Sequence, residues 1–259
     1  STYAEGFPPS VIGIGGAVDI AFLDGTAYVL VTLVDDPFFP TGATNGLYRV
    51  DGPSDLEIIA DIGAYNMAHP PATAFFLATG VLYAIEPFRG GFLITDGHLN
   101  RVLRVGKEGE ITEFKAFGNI VPTGLEVHGH TVYMNEAGPV PHNPEDGKVM
   151  AIDARTGAVT EVASGAPLLV DVEFGLGQTL YALSQGHWSG MFGGDGSPAD
   201  PLTGSLVTVD PNGGFTVLAT ALDIPTSLEL IGNTAYVVTF FGEVWKIPGV
   251  SPPPYGRSR

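Results

Sequence analysis

Apolar and polar residues alternate along this chain in short runs, and the runs recur in one order. Each recurring stretch reads as an apolar strand, a tight polar turn and a second strand that ends in polar or small residues. Five stretches share the pattern: VDIAFLDGTAYVLVTLV from Val18, TGVLYAIEPFRGGFLITDG from Thr79, TGLEVHGHTVYMNEAGP from Thr123, VDVEFGLGQTLYALSQG from Val170 and TSLELIGNTAYVVTFFG from Thr226. Their starts lie 44 to 61 residues apart, close to the roughly 40–50 residues of a propeller blade.

Each repeat has room for four strands. In the third repeat the runs TGLEV, HTVYMN, GKVMAID and AVTEVA are rich in Val, Ile, Thr and Tyr and are separated by turns, which is typical of a β-meander. No window of helical length has helical apolar spacing without a Gly or Pro inside it. We therefore predict an all-β protein, a β-propeller of four-stranded meander blades. A β-sandwich is the alternative, but it does not demand repeated units.

The repeats divide the chain into blades within a single predicted domain, 1–259. The predicted segments are an N-terminal extension 1–15, blades 16–63, 79–118, 119–164 and 165–221, an incomplete last blade 222–249 and a Pro-rich tail 250–259.

The last blade lacks a recognisable fourth strand. After GEVWKIPG the chain continues into Val250–Ser251–Pro252–Pro253–Pro254, and proline cannot donate to a strand ladder. We expect a six-bladed design whose missing blade and closing strand belong to a segment upstream of Ser1. The alternative is a five-bladed ring with a three-stranded last blade.

Charge excludes some partners. The chain has 28 acidic and 11 basic residues, for a formal net charge of −17. A protein that binds nucleic acid or an anionic membrane needs clustered Lys or Arg on its surface. We therefore expect no nucleic-acid partner. No apolar run approaches the ~20 residues of a membrane span, and no signal peptide is present. The chain has no Cys, so thiols say nothing about the redox compartment.

The long insertions occupy equivalent places in the repeats. Residues 34–45, 136–146 and 185–204 connect second to third strands, and 63–71 belongs to a blade-to-blade crossover. In a meander blade these connections share one face, so we expect the binding site on that loop-rich face.

Acidic and histidine side chains in these loops are candidate ligands for a cation. Carboxylate oxygens suit Ca²⁺ or another divalent cation, although Asp in Gly- and Pro-rich loops also caps turns. No cofactor is certain. The metal candidates are Asp35, Asp36, Glu136, Asp146 and Asp195. His98, His142 and His187 could bind a transition metal or act as bases, but no HxH spacing joins them.

Large apolar side chains in the same loops form a second group of candidates. They either collapse onto the base of their loop or form a rim for a planar or glycan ligand. They are Phe38, Phe39, Trp188, Met191 and Phe192. With His142 and His187, the residues Phe38, Phe39 and Trp188 are the predicted ligand-binding set.

Asp19 and Asp171 occupy equivalent places near the start of the innermost strands. Together with His98 they are the candidates for catalysis, and we expect both carboxylates to lie within reach of one water or ion at a central channel. The alternative is that they satisfy strand ends. The common hydrolase, zinc-protease and nucleotide-binding motifs are absent from the sequence.

The chain resembles a known family over most of its length. The stretches His69–Val105, Val121–Val149, Leu168–Gly186 and Ile224–Ile247, with the strings HNPEDGKV and TDGHLNRVLRV, are similar to the ScyD/ScyE family of secreted bacterial β-propellers. The likeness extends from Gly16 to Val250. It implies an exported protein, secreted or periplasmic, and no settled reaction. Members usually carry a signal peptide and a further N-terminal blade.

Two functions from different classes remain. The favoured one is a secreted binding or scaffold propeller that engages a small molecule, a glycan or a protein through its loop-rich face, without catalysis. The alternative is a metal-assisted lyase or hydrolase at the channel mouth. A strand supplied by an upstream segment or by another chain is a further predicted interaction.

Overall fold

The computed structural model describes residues 3–143, 145–191, 193–194 and 196–251. Within that part the chain forms five antiparallel sheets, four with four strands and one with three. In every sheet the strands lie in chain order, so each is a meander. This arrangement confirms the prediction of an all-β fold built from blades. The chain divides into two compact units, 1–122 and 123–259.

Unit 1 holds two sheets and one short helix. The elements are β1 (Gly16–Leu23), β2 (Thr26–Thr32), β3 (Gly46–Gly52), β4 (Asp55–Asp61), α1 (Ile62–Ala68), β5 (Leu82–Phe88), β6 (Gly91–Asp96), β7 (Arg101–Gly106) and β8 (Ile111–Ala116). The first sheet has the order β1-β2-β3-β4 and the second β5-β6-β7-β8.

Unit 2 holds the other three sheets, beginning at the inner strand of the third. The elements are β9 (Pro122–His128), β10 (Thr131–Glu136), β11 (Gly147–Asp153), β12 (Val159–Ala166), β13 (Leu169–Phe174), β14 (Leu180–Ser184), β15 (Gly204–Val209), β16 (Phe215–Leu222), β17 (Pro225–Ile231), β18 (Thr234–Thr239) and β19 (Val244–Pro248), with a 3₁₀ turn at Leu176–Gln178. The last sheet, β17-β18-β19, has three strands among the described residues.

The position of a strand within its sheet determines its pattern. Every residue of the second strand β6 is buried. The outer strand β16, in contrast, is mostly exposed. The position of a strand in its sheet, and not its apolar content alone, therefore sets its burial: β16 is mostly apolar in sequence yet exposed.

Each unit has its own apolar core. In unit 1 the facing sides of the two sheets pack together, and the Tyr28 and Phe92 rings lie 4.7 Å apart between centroids. Leu30, Leu47 and Leu103 are fully buried beside them. In unit 2 the third and fourth sheets bury a corresponding cluster.

The helix α1 is a correction to the sequence analysis, which found strands alone and treated 63–71 as a loop. Asp61 caps the helix, because its Oδ1 accepts a hydrogen bond from the Ala64 backbone amide at 2.8 Å. A helix of seven residues is too short to show an apolar period, and Gly63 lowers its helical propensity.

Candidate functional site

Asp19 lies on β1 where the pairing with β2 shifts register, between Ala17 and Asp19. Its Oδ1 accepts a hydrogen bond from the Ile20 amide, and its Oδ2 accepts one from the Ile85 amide on β5, both at 2.8 Å. Burial raises the pKa of Asp19 to about 6, against the lowering effect of these two amides. The carboxylate therefore joins the first sheet to the second.

Asp171 repeats this arrangement in unit 2. It follows a register shift in β13, its Oδ1 accepts from the Val172 amide at 2.9 Å, and its Oδ2 accepts from the Leu228 amide on β17 at 2.7 Å. The structure thus places Asp19 and Asp171 at equivalent positions, each holding the inner strand of the next sheet. A shared ion or water, and a catalytic role, remain predictions.

The backbone of β9 approaches Asp171 closely at Gly124. A Cβ atom on Gly124 would lie 2.5 Å from the Asp171 Cα and 2.6 Å from its Oδ1. Only glycine fits there without displacement of the strand. The Thr123 hydroxyl donates to the Leu169 carbonyl at 2.8 Å, and Asn135 donates to the Asp171 carbonyl at 2.6 Å, which fixes the same junction.

The two acidic metal candidates of unit 1 are engaged with their own loop, residues 33–45. The Asp35 Oδ1 accepts from the Thr41 amide at 2.6 Å and the Gly42 amide at 2.8 Å, and these hydrogen bonds lower the pKa of Asp35. Asp36 is 1% exposed. Its Oδ2 accepts from the amide and hydroxyl of Thr79, at 3.1 and 3.0 Å.

A buried polar network lies beside this loop, and the sequence analysis missed it. Asp96, at the end of β6, accepts hydrogen bonds from the Val81 and Leu99 amides and from Asn66 Nδ2, the last at 2.6 Å. Asn66 lies on α1 and also donates to the Thr79 carbonyl at 2.8 Å. Burial raises the pKa of Asp96 to about 6. The network therefore ties α1 to the second sheet.

Arg101 completes the network. Its side chain is almost fully buried, and its Nη2 donates to Asn66 Oδ1 at 2.7 Å. Its Nη1 donates to the His69 carbonyl at 2.9 Å and lies 3.4 Å from Glu113 Oε2. The sequence signal for Arg101 was the string TDGHLNR, in which a turn is followed by an arginine at the start of the next strand.

Four aromatic side chains of unit 1 form a cluster through ring contacts. The rings of Phe38 and Phe76 lie 6.4 Å apart, Phe76 lies 5.3 Å from His98, and Phe75 lies 5.5 Å from His98. Phe38 is 72% exposed and Phe76 is 62% exposed. Phe39 is half-buried and its amide donates to the Asp36 carbonyl at 2.9 Å. Phe76 was not predicted, although FF in the crossover was visible in the sequence.

In unit 2 the long loops 137–146 and 185–203 meet. The His142 and Trp188 rings lie 6.1 Å apart, so two predicted ligand-binding residues are neighbours. Trp188 Nε1 donates to Ser197 Oγ at 2.9 Å. His187 is exposed, and its amide donates to Thr203 Oγ1 at 3.0 Å. The candidates Asp195 and Phe192 lie outside the described residues.

The remaining metal candidates belong to the loop at the end of β10. Glu136 is nearly buried, and burial raises its pKa to about 7, with Lys148 opposing the shift and Glu161 adding to it. Asp146 accepts from Asn143 Nδ2 at 2.9 Å. Among the described residues, no group of three or more His, Asp or Glu side chains lies close enough together to hold a metal ion.

Three glutamates occupy one register position on the inner strands of unit 2, and sequence reasoning did not single them out. They are Glu126, Glu173 and Glu229, the fourth residues of TGLE, VDVE and TSLE. Burial raises the pKa of Glu126 to about 7, and the charge of Glu229 adds to the shift. Burial also raises the pKa of Glu229. The aligned repeats carried this signal.

No family model and no curated protein matches the chain. Solved structures do. The nidogen structure from a nidogen/laminin complex is similar at a TM-score of 0.63 and 13% identity, covering 91% of this chain and 76% of that one. An inactive virginiamycin B lyase of Staphylococcus aureus with quinupristin is similar at a TM-score of 0.52 and 13% identity, covering 95% of this chain and 74% of that one. A candidate gluconolactonase is similar at a TM-score of 0.51 and 12% identity, covering 86% of this chain and 70% of that one.

At 12–13% identity, the similarity to these solved structures shows the fold alone. The chain is an all-β repeat protein with the β-propeller fold and five blades. No helix within the described ranges is both long and apolar enough to cross a membrane.

Proposed function

We propose that this protein is a secreted binding or scaffold propeller that engages an extracellular ligand through its long loops. The observation that carries the proposal is the pair Phe38 and Phe76, which contact each other and remain largely exposed. Apolar rings in water are unfavourable, and they are enriched where proteins bind partners. Secretion rests on the family resemblance.

Buried hydrogen bonds anchor the loops that carry these rings. Asp36 accepts hydrogen bonds from Thr79, and Asn66 donates to Thr79 and to Asp96. The hydrogen bonds hold the two loops at one spacing, so little loop entropy is lost when a ligand binds. Two exposed rings on loops anchored in this way are suited to binding. A flexible loop would collapse them onto its base.

The chemistry of the patch favours a ligand with an apolar face. Ring faces stack on planar molecules and on the C–H faces of sugars, and the net charge of −17 disfavours anions. The nidogen structure that shares the fold was solved with laminin, which supports a protein partner as well. Small molecule, glycan and protein remain the three ligand classes.

The enzyme alternative receives less support. Both Asp19 and Asp171 already hold backbone amides of a neighbouring strand. Propellers with the same fold include a lyase and a candidate gluconolactonase, but the low identities carry no activity to this chain. We therefore propose binding over catalysis.

Variants of the exposed rings test the proposal. The wild-type chain, Phe38→Ser and Phe76→Ser would be compared on a glycan array, against planar aromatic probes and against extracellular-matrix proteins. Phe241→Ser is the matched control, because Phe241 is equally exposed in a turn of unit 2. We expect loss of each selected ligand by roughly tenfold or more in both patch variants. Equal binding by all four proteins would overturn the proposal.

A further inference from the structure

An open cavity in unit 1, separate from the loop aromatics, lies between the N-terminal segment and the first sheet. Its volume is about 350 Å³, within the range of small-molecule sites. Its wall is mostly apolar. The side chains that matter here are Tyr3, Phe7, Val18, Asp19, Ile20 and Val29.

Ring contacts hold the N-terminal segment that forms one side of the cavity. Tyr3 meets Phe22 edge to face, with 6.4 Å between ring centroids, and Phe7 meets Tyr48 in the same way at 6.0 Å. The Glu5 amide donates to the Pro53 carbonyl at 2.8 Å. The cavity is thus bounded by elements with defined contacts.

Asp19 supplies the carboxylate in this wall. Each of its oxygens accepts one backbone amide, from Ile20 and from Ile85. A carboxylate has about four acceptor positions, so two remain for a ligand. Burial raises the pKa of Asp19 while these two amides lower it, and within the described part of the chain no Lys, Arg or His contributes. A partly buried carboxylate without a cationic neighbour favours a bound cation.

We propose that this cavity binds a small amine, with its ammonium group on the Asp19 carboxylate and its apolar body against Phe7, Ile20 and Val29. The rings of Tyr3 and Phe7 belong to the same wall, and an aromatic ring face attracts a cation that lies within about 6 Å. The net charge of −17 raises the local concentration of cations around the protein. This site is independent of the loop-borne site proposed above, because the two share no residue.

A pair of isosteric probes tests the charge requirement. 2-Phenylethylamine and its neutral analogue 2-phenylethanol would be titrated into the full chain and followed by calorimetry at pH 8. The wild-type protein should bind the amine roughly tenfold more tightly or better, since a charge-assisted hydrogen bond exceeds a neutral one by that much. Equal affinities, or no binding of the amine, would overturn the proposal.

Two variants separate binding from the structural role of Asp19. Asp19→Asn should remove the preference for the amine. Asp171→Asn is the matched control, because Asp171 makes the same two backbone contacts in unit 2 but lies outside the cavity wall. It should keep the full preference. If both variants lose amine binding to the same degree, the effect is structural and the proposal is wrong.

A cavity-filling variant provides the test if Asp19→Asn does not fold. Ala4 lies in the cavity wall and is half-buried, and Ala4→Phe would occupy the apolar part of the space. Amine binding should fall by roughly tenfold or more while Asp19 stays in place. Unchanged binding by a folded Ala4→Phe protein would place the amine elsewhere and overturn the proposal.

Discussion

The Asp171 carboxylate on β13 accepts a hydrogen bond from the Leu228 amide on β17, with 2.7 Å between Oδ2 and N. The contact joins the inner strands of two successive sheets, 57 residues apart in the chain. Asp19 and the Ile85 amide make the same contact in unit 1. The repeat therefore reuses one polar junction between inner strands.

Asp171→Ala should destabilise unit 2 by about 1–3 kcal/mol, because two backbone amides lose their acceptor. Chemical denaturation followed by tryptophan fluorescence measures the change. Asp153→Ala is the control: Asp153 accepts the Arg155 and Thr156 amides in an exposed turn, where water replaces the carboxylate. A loss for Asp171→Ala no larger than that of the control would show that the junction is not stabilising.

Gly124→Ala should also destabilise the protein, by roughly 2 kcal/mol or more, since the new Cβ would lie 2.5 Å from the Asp171 Cα. Gly118→Ala is the matched control, because a Cβ there meets no atom within 4 Å. It should change stability by less than about 0.5 kcal/mol. Thermal melts of the two variants give the comparison, and equal shifts would contradict the close approach.

Asn66→Ala should cost about 2–4 kcal/mol, because Asp96 and Arg101 each lose one buried hydrogen-bond partner. Met67→Ala, the next position on α1, is the control, since Met67 is exposed. Denaturant unfolding of the pair separates the polar network from the propensity of the helix. A small effect of Asn66→Ala would mean that water takes the place of the amide.

The pH dependence of stability should follow the inner-strand glutamates. The pKa of Glu126 rises from 4.5 to about 7 in the folded protein, so the folded state binds more protons than the unfolded state. The contribution of Glu126 to stability should therefore be largest below about pH 4.5, fall as the pH rises and be lost above about pH 7. Glu136, whose pKa also rises to about 7, contributes with the same sign.

Glu126→Gln isolates one part of this profile. The variant should be more stable than wild type above pH 7, by on the order of 1 kcal/mol once partial exposure is allowed for, and should show a shallower fall from pH 4.5 to 7. Glu108→Gln, in an exposed turn, should retain the wild-type profile. Urea unfolding between pH 4 and 8 measures both. If the profile of Glu126→Gln ran parallel to that of wild type, Glu126 would not be the group that lowers stability between pH 4.5 and 7.

The sequence was informative wherever the repeat itself carried the signal. Strand order, tight turns such as Pro211–Gly214 and the equivalence of Asp19 with Asp171 all follow from residues aligned within one period. The three glutamates at one register position carried the same signal and were overlooked. Helix α1 was missed because seven residues cannot display a period.

By itself, the sequence determined an all-β chain of meander blades, because strand period and turn chemistry are local properties. Only the tertiary structure decided which polar side chains are structural. Asp36 and Asp96 look alike as loop or turn carboxylates, yet their partners Thr79 and Asn66 lie 43 and 30 residues away. The contact between Phe38 and Phe76 likewise joins two insertions. Hydrogen bonds and ring contacts depend on positions in space, and those positions arise only when the sheets pack.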